Sequence, residues 1–237
     1  MIDATASRRD FLRHAGGVTT GGLLAGTLGG AVAGLVAAPA AADTALDIQI
    51  LQTASALEAL TVNTYQTAIG LDFIKNGNKV LLSFLETTGN QHREHGMAFR
   101  AQTMALGGAE QPNAHPGGQQ IVDAATPDLT DSLKVVQLAE QLETIATHTY
   151  LENTTLLDDT VARQLMATVM GVDTQHAAVL RVFAALLAAE SPELIALPVD
   201  PAALPAAAGS VATPDAVEPS TNALTPDSGV LQPVPQP

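Results

Sequence analysis

The chain of 237 residues contains no cysteine. This absence excludes a disulfide framework and any metal site built on thiolates. A bound metal would therefore need histidine and carboxylate ligands, a combination that suits iron, manganese or zinc. Tryptophan is also absent and only two tyrosines are present, so the positions of these two residues carry information.

Positive charge is scarce, because 10 lysines and arginines stand against 24 aspartates and glutamates, for a net charge of −14. A nucleic-acid partner needs a basic surface to neutralise its phosphates, so we predict no nucleic-acid partner. The same charge disfavours electrostatic attraction to an anionic membrane surface. With 46% hydrophobic residues, the chain can form one well-filled domain with appendages.

Residues 1–42 have the composition of an export signal. Arg8 and Arg9 come first, an apolar, glycine-rich stretch covers residues 16–36, and small residues lead up to Ala42. This order is typical of export signals, and the paired arginines resemble the twin-arginine type. We predict recognition by the twin-arginine machinery, cleavage after Ala42, and a periplasmic, cell-wall-associated or secreted protein. A buried Gly/Ala helix and an uncleaved membrane anchor are the alternatives.

The C-terminal stretch, residues 198–237, is rich in proline and alanine, acidic, and free of lysine and arginine. It shows no periodic apolar pattern, so it cannot bury enough surface to offset the entropy of ordering. We predict a disordered acidic tail or cell-wall spacer. Removing both ends leaves a folded core at residues 43–197.

Within the core, four stretches are long, free of proline and rich in aliphatic residues. Apolar residues recur in each at spacings of three and four, which is the helix period. Turn residues at 76–78 separate the first two stretches, and Asp158-Asp159-Thr160 separates the last two. The predicted helices are Asp47–Lys75, Asn78–Leu106, Leu129–Leu157 and Thr160–Glu190.

The connector at residues 107–128 contains several glycines and prolines, so we expect no helix to run through it. A helix of the predicted length spans about 40 Å, and an extended connector rising about 3.3 Å per residue can cover that distance. We therefore predict an all-α four-helix bundle with one long crossover between helices two and three. A bundle with a loose loop at this point is the alternative.

The two predicted hairpins resemble each other, which is the strongest pattern in the sequence. Leu57-Glu58 precedes Tyr65 in helix one, and Leu142-Glu143 precedes Tyr150 in helix three at the same spacing. Each tyrosine follows its glutamate by two helical turns, so the two side chains share a helix face. Both tyrosines of the protein therefore belong to the repeat.

Helices two and four carry the other half of the repeat, His92-x-x-His95 and Asp173-x-x-His176, each followed by an arginine. Side chains at this spacing lie one above the other and can bind one cation together. One glutamate from each of two helices, with a pair of this kind from each of the other two, is an arrangement that holds two metal ions. The predicted ligands are Glu58, His92, His95, Glu143, Asp173 and His176.

Distances from the turns support this convergence. Glu58 and His95 lie equally far from the first turn, and Glu143 and His176 lie nearly equally far from the second. In an antiparallel hairpin, equal distances from the turn place residues at equal heights along the axis. Each glutamate should therefore meet its histidine.

Three further residues are candidates for contacts with the ligands. Tyr65 and Tyr150 could donate hydrogen bonds to them, or pack the bundle with their hydroxyls turned outward. Glu140, one turn before Glu143, could support the ligands as an outer carboxylate. His148 is expected to be exposed, and His115 in the connector suggests no chemistry.

At these motifs the chain resembles the ferritin-like superfamily and, more narrowly, a bacterial ferritin-like domain family that includes desiccation-related proteins. The resemblance implies a ferritin-like four-helix bundle with a dimetal site, often in an exported protein. Ferritin-like relatives oxidise iron, activate dioxygen or remove peroxide. Such relatives usually place a carboxylate where this chain has His92 and a glutamate where it has Asp173. A single metal ion, a mixed pair of metals or zinc are therefore alternatives to a pair of iron or manganese ions.

The predicted function is that of a metal-dependent oxidoreductase, ferroxidase-like or peroxidase-like, acting in stress protection. Its cofactor would be two divalent metal ions, with iron as the first choice and manganese or zinc as alternatives, and its partner a small oxidant. The rival interpretations are a metal-binding protein without turnover and a metal-free structural or stress protein of the cell envelope. A monomer and a dimer are both compatible with the sequence.

Overall fold

The computed structural model describes residues 44–196 and 223–230. The predicted export signal, residues 1–42, and most of the predicted tail lie outside these ranges. The four predicted helices are confirmed as the long helices α1, α3, α5 and α6, with shorter elements between them. The helices are α1 (Thr44–Gly70), α2 (Asp72–Lys75), α3 (Lys79–Ala105), α4 (Pro116–Ala125), α5 (Ser132–Leu156) and α6 (Thr160–Ala188), with short 3-10 turns at Thr126–Asp128 and Pro192–Leu194.

Polar side chains fix the starts of the long helices. Asn78, Asp131 and Asp159 each accept hydrogen bonds from the free backbone N–H groups in the first turn of α3, α5 and α6, which is the usual role of an N-cap. The Asp47 carboxylate near the start of α1 accepts from the backbone nitrogens of Asp158 and Asp159, at 3.0 and 2.7 Å. The turn between α5 and α6 is therefore held at the start of α1.

The connector after α3 runs along α1, as the crossover prediction requires. Near the start of α1, the Gln52 amide donates to the carbonyl of Ala109 at 2.8 Å. Further along α1, the carbonyl of Ala56 accepts from the backbone nitrogen of His115 at 2.9 Å. Beyond α4 the connector reaches Leu129, which packs in the cluster containing the last turns of α1 and the first turn of α5. The bundle is therefore all-α with one long crossover, and the loose-loop alternative is wrong.

No helix runs through the whole connector, as expected, but a short helix, α4, forms within it. Pro116 occupies the first turn of α4, where proline fits because the first N–H groups of a helix have no partner within the helix. The His115 ring supplies the cap, because its Nδ1 accepts from the backbone nitrogen of Gly118 at 3.0 Å. Gly118 also lies so close to α1 that an added Cβ would stand 2.3 Å from the side chain of Leu60.

The segment 223–230 packs on the bundle, which differs from the disordered chain expected there. Gly229 donates its N–H to the Thr53 hydroxyl at 3.1 Å and accepts from the Gln111 amide at 2.7 Å. Leu224 packs against the apolar core and donates its N–H to Thr149 at 3.1 Å. A few specific backbone hydrogen bonds and one leucine hold this segment, and neither leaves a periodic pattern in the sequence.

The apolar core is divided into two clusters with a polar band between them. Along α3, for example, Leu85 belongs to one cluster and Phe99 to the other, and His92 lies midway, two turns from each. The bundle thus surrounds its buried polar residues with apolar side chains on both sides. None of the helices in the described ranges has the length and hydropathy needed to cross a membrane.

Candidate metal centre

The structure brings all six predicted ligands together in the polar band, at the middle of the bundle. Five of them are buried, and the sixth, His95, has a side chain that is only 13% exposed. They form two overlapping groups in which the ligand atoms lie within 4.8 Å of one another. Helix α1 contributes Glu58, α3 contributes His92 and His95, α5 contributes Glu143, and α6 contributes Asp173 and His176.

The first half of the cluster contains Glu58, His92, His95 and Asp173. Glu58 Oε2 lies 2.7 Å from His92 Nδ1 and 3.7 Å from His95 Nδ1. His95 Nδ1 also lies 3.3 Å from Asp173 Oδ1. The meeting of Glu58 with His95 is the contact that their equal distances from the first turn predict.

The second half contains His92, Glu143, Asp173 and His176. Glu143 Oε1 lies 2.8 Å from His92 Nε2 and 3.6 Å from His176 Nδ1, and His176 Nδ1 lies 3.5 Å from Asp173 Oδ1. Glu143 therefore meets His176 as predicted. His92 and Asp173, which occupy equivalent positions in the repeat, are the two residues that belong to both halves.

Several ligand atoms in the cluster are buried yet have no hydrogen-bond partner among the described residues. Buried polar atoms are normally paired, because leaving one unpaired costs about 1–3 kcal/mol. A group of such atoms on carboxylates and imidazoles, facing one another, is the donor set of a metal site. The unpaired atoms are His95 Nδ1, Glu143 Oε2, His176 Nδ1 and both carboxylate oxygens of Asp173. The residues present therefore fit metal ions.

Each tyrosine of the repeat binds the glutamate of the other hairpin. The Tyr65 hydroxyl donates to Glu143 Oε1 at 2.7 Å, and the Tyr150 hydroxyl donates to Glu58 Oε1 at 2.5 Å. Both tyrosines are buried, so the alternative of outward-facing hydroxyls is wrong. Burial and the nearby carboxylates raise the pKa of both phenols well above the ordinary value of 10.0, so both remain donors at neutral pH.

Glu140 does not join the ligands within the described part of the bundle. Its Oε1 accepts from the Arg181 guanidinium at 3.1 Å and from the Thr144 hydroxyl at 3.1 Å. Arg181 follows His176 on α6 by more than one turn and lies at the height of Glu140, so its charge holds this carboxylate at the half-buried edge of the bundle. The ion pair explains why Glu140 turns away from the centre.

Two residues outside the predicted set, Gln91 and Gly96, position ligands. Gln91 Oε1 lies 2.8 Å from His176 Nε2 and orients that ring; its spacing of one turn from His95 is a signal that could have identified it. At Gly96 an added Cβ would stand 3.2 Å from the Cβ of Glu58, so the absence of a side chain lets α1 approach α3 at the site. His148, expected to be exposed, is buried, because α5 packs on its neighbours over more than one face.

The sequence of residues 46–185, more than half of the chain, matches the ferritin-like domain family. The chain belongs to this family. No match was found among curated proteins or among solved structures. Membership confirms the predicted resemblance at the level of the superfamily, and the helical bundle with its buried carboxylates and histidines agrees with it.

Charges within the cluster of this ferritin-like protein balance one another. Burial raises the pKa of Glu58 and Glu143, but the charge and hydrogen bonds of His92 outweigh it and bring both pKa values to about 2. Burial lowers the pKa of His92, but Glu143 and Glu58 on either side raise it well above 6.5. The carboxylates of Asp173 and Glu58 likewise raise the pKa of His95 to about 9. The metal-free cluster is therefore held together by imidazolium–carboxylate pairs.

This balance predicts how the stability of the metal-free protein depends on pH. The lowered pKa values of Glu58 and Glu143 contribute stability above their ordinary value of 4.5, and this is lost as the pH falls toward about 2. The raised pKa of His95 contributes stability below 6.5, and this is lost as the pH rises through about 9. We expect the free energy of unfolding, measured by denaturant titration with a chelator present, to be greatest between these two flanks.

The variant His95→Gln is the control for the alkaline flank. This substitution removes one of the groups with a raised pKa. The free energy of unfolding of the variant should therefore decline less steeply above pH 6.5 than that of the parent protein. A free energy of unfolding that increases from pH 6.5 to 9 in the metal-free parent would contradict the pairing described above.

Proposed function

We propose that this protein binds two divalent metal ions in the cluster and uses them in redox chemistry with Fe(II), dioxygen or peroxide. One observation carries the proposal: buried carboxylate and imidazole atoms from four helices face one another in two overlapping groups, and several of them make no hydrogen bond to the described residues. Membership in the ferritin-like domain family supports it. Bound iron would supply the electrons for reduction of the oxidant, by changing between its ferrous and ferric states.

The chain's own residues perform distinct tasks around such a centre. Glu58 and Glu143 supply negative charge in separate halves, and Tyr150 and Tyr65 hold these carboxylates by donating to one oxygen of each. The two apolar clusters above and below exclude bulk water. Low water content strengthens every electrostatic interaction in the site.

Access for a small molecule is best between α3 and α6. The ligands with the most exposed side chains are His95 on α3, at 13%, and His176 on α6, at 7%. Phe84 on α3 packs edge-on against the His176 ring, with centroids 6.2 Å apart, and narrows the approach. Because the ligands are so little exposed, the site suits a metal ion, dioxygen or peroxide rather than a large substrate.

Three imidazoles and three carboxylates are a mixed donor set that suits iron. Iron is therefore our first candidate, and manganese, zinc or a mixed pair are the alternatives. We further propose that the protein is exported by the twin-arginine route to the periplasm, the cell wall or the medium, as residues 1–42 suggest. A role in stress protection, as the resemblance to desiccation-related proteins implies, would fit that location. The protein would act there as a monomer or a dimer.

Metal analysis tests the proposal. Protein purified without a chelator and incubated with Fe(II), Mn(II) or Zn(II) is expected to retain two ions per chain. A chain that retains none under all these conditions would refute metal binding and leave the interpretation of a metal-free structural or stress protein.

Turnover is tested separately by oxygen consumption with Fe(II). Glu143→Ala should lose most of the activity, because it removes a charged ligand from one half and a hydrogen-bond partner from both His92 and Tyr65. Glu94→Ala is the matched control, since Glu94 lies beside His95 on α3 but is exposed. Equal rates in the parent and Glu143→Ala would exclude turnover at this site and favour metal binding without catalysis.

A further inference from the structure

The ring of His92 lies between the glutamates of the two hairpins. Its Nδ1 faces Glu58 Oε2 at 2.7 Å, and its Nε2 faces Glu143 Oε1 at 2.8 Å. The side chain is 1% exposed, so neither nitrogen is turned to solvent. A histidine that binds one metal ion normally directs its other nitrogen at a carboxylate, carbonyl or water. Here both nitrogens face carboxylates that are themselves ligand candidates, one in each half of the cluster.

We propose that His92, as an imidazolate, bridges the two metal ions, with Nδ1 as a ligand in the first half and Nε2 as a ligand in the second. This inference rests on the proposed two-metal function. Asp173, whose two oxygens accept no hydrogen bond from the described residues, is the second residue common to both halves. Glu58 with His95 then completes one half, and Glu143 with His176 completes the other.

The bridge also accounts for the charge of the site. Each N–H proton of the His92 ring is replaced by a bond to a metal ion and passes to solvent, because a metal ligand must be deprotonated. The resulting imidazolate carries one negative charge. Together with the carboxylates of Glu58, Glu143 and Asp173, it gives four negative charges against two divalent cations. The buried site then has no net charge, which matters because an unbalanced charge is costly in an apolar core.

A neutral His92 would leave the two halves with different numbers of ligands. It could offer only one nitrogen to a metal ion, while the other kept its proton and its hydrogen bond to a glutamate. One half would then have four protein ligands and the other only three. The bridge also affects the choice of metal: imidazole suits iron, zinc and copper, whereas manganese favours carboxylate and water oxygens. An imidazolate bridge therefore favours iron or zinc over manganese.

Copper(II) is a suitable probe because it binds nitrogen ligands tightly and is paramagnetic. We expect the full-length protein to bind two Cu(II) ions and to lose most of its low-temperature EPR intensity when the second ion binds, because spins joined through an imidazolate couple. With Zn(II), X-ray absorption should give a separation between the ions greater than the roughly 3.5–4 Å of common two-metal sites.

Two variants separate the bridge from a structural role of His92. His92→Glu places a carboxylate at this position and should still bind two ions, with a separation that falls to about 3.5–4 Å. His92→Gln cannot bridge through nitrogen, so it should retain more of the Cu(II) EPR intensity than the parent protein, and any coupling that is left then passes through Asp173. Circular dichroism checks that each variant is folded, and the measurements on the parent protein are decisive if a variant is not.

Each outcome has a defined meaning. Two Cu(II) ions with undiminished EPR intensity, or a Zn–Zn separation within the common range, would overturn the bridge while leaving the two-metal function intact. A single ion per chain would also overturn it and leave a one-metal site. Failure to bind either probe would refute the proposed metal function itself.

Discussion

Asp173→Asn is expected to weaken metal binding in both halves of the centre at once. Asp173 is the one carboxylate common to both groups of ligands, and neither of its oxygens accepts a hydrogen bond from the described residues. Even a residue that only supports a ligand typically contributes about 10- to 100-fold to metal affinity. We therefore expect the affinity for each ion to fall by more than about 100-fold, as measured by competition with a chelator of known strength.

Asparagine has nearly the shape of aspartate, so the variant should fold and the loss should not be an effect of unfolding. Glu94→Gln makes the same type of change at an exposed position on α3 and should leave the affinity unchanged. If Asp173→Asn retained one ion at the parental affinity, Asp173 would serve a single metal and the two halves would be independent.

Of the substitutions proposed for this protein, His92→Leu is expected to lower the free energy of unfolding of the metal-free form the most. His92 is the hydrogen-bond partner of two buried carboxylates, Glu58 and Glu143. Removing one partner of a buried ion pair typically costs about 3–5 kcal/mol, because the remaining charge has no compensation. We expect a decrease of this size in the free energy of unfolding near neutral pH, measured by denaturant titration in the presence of a chelator.

The pH dependence identifies the cause of this loss. Without His92, burial should raise the pKa values of both glutamates instead of leaving them low. The difference in stability between His92→Leu and the parent should therefore narrow as the pH falls from 7 toward 5. His148→Leu replaces another buried histidine, on α5 and outside the cluster, and should show no such narrowing. A His92→Leu protein as stable as the parent at pH 7 would contradict the role of His92 as a counterion.

The long helices and the convergence of the ligands could be predicted because they depend on periodicity and on distance along the chain. Apolar residues at the helix period identify α1, α3, α5 and α6. Once two turns are placed, antiparallel pairing alone brings Glu58 to His95 and Glu143 to His176. The repeat then indicates which residues share a face, so the ligand set follows without any knowledge of the contacts between hairpins.

The features that could not be predicted depend on contacts between distant parts of the chain. Helix α4 forms because His115 caps it and Gly118 allows close approach to α1, and neither effect has a periodic pattern. Glu140 has the spacing of a supporting carboxylate, but Arg181 on a different helix determines where it points. The packing of residues 223–230 depends on Thr53 and Gln111, which lie far away in the sequence.

The reciprocal tyrosine contacts have a consequence for the origin of the bundle. Tyr65 of one hairpin binds Glu143 of the other, and Tyr150 binds Glu58 in return. A contact in which residue i meets residue j and j meets i is the mark of an isologous, two-fold interface. A single ancestral hairpin could therefore have made the same contacts with a second copy of itself, and fusion of the two copies would have freed His92 and Asp173 to diverge.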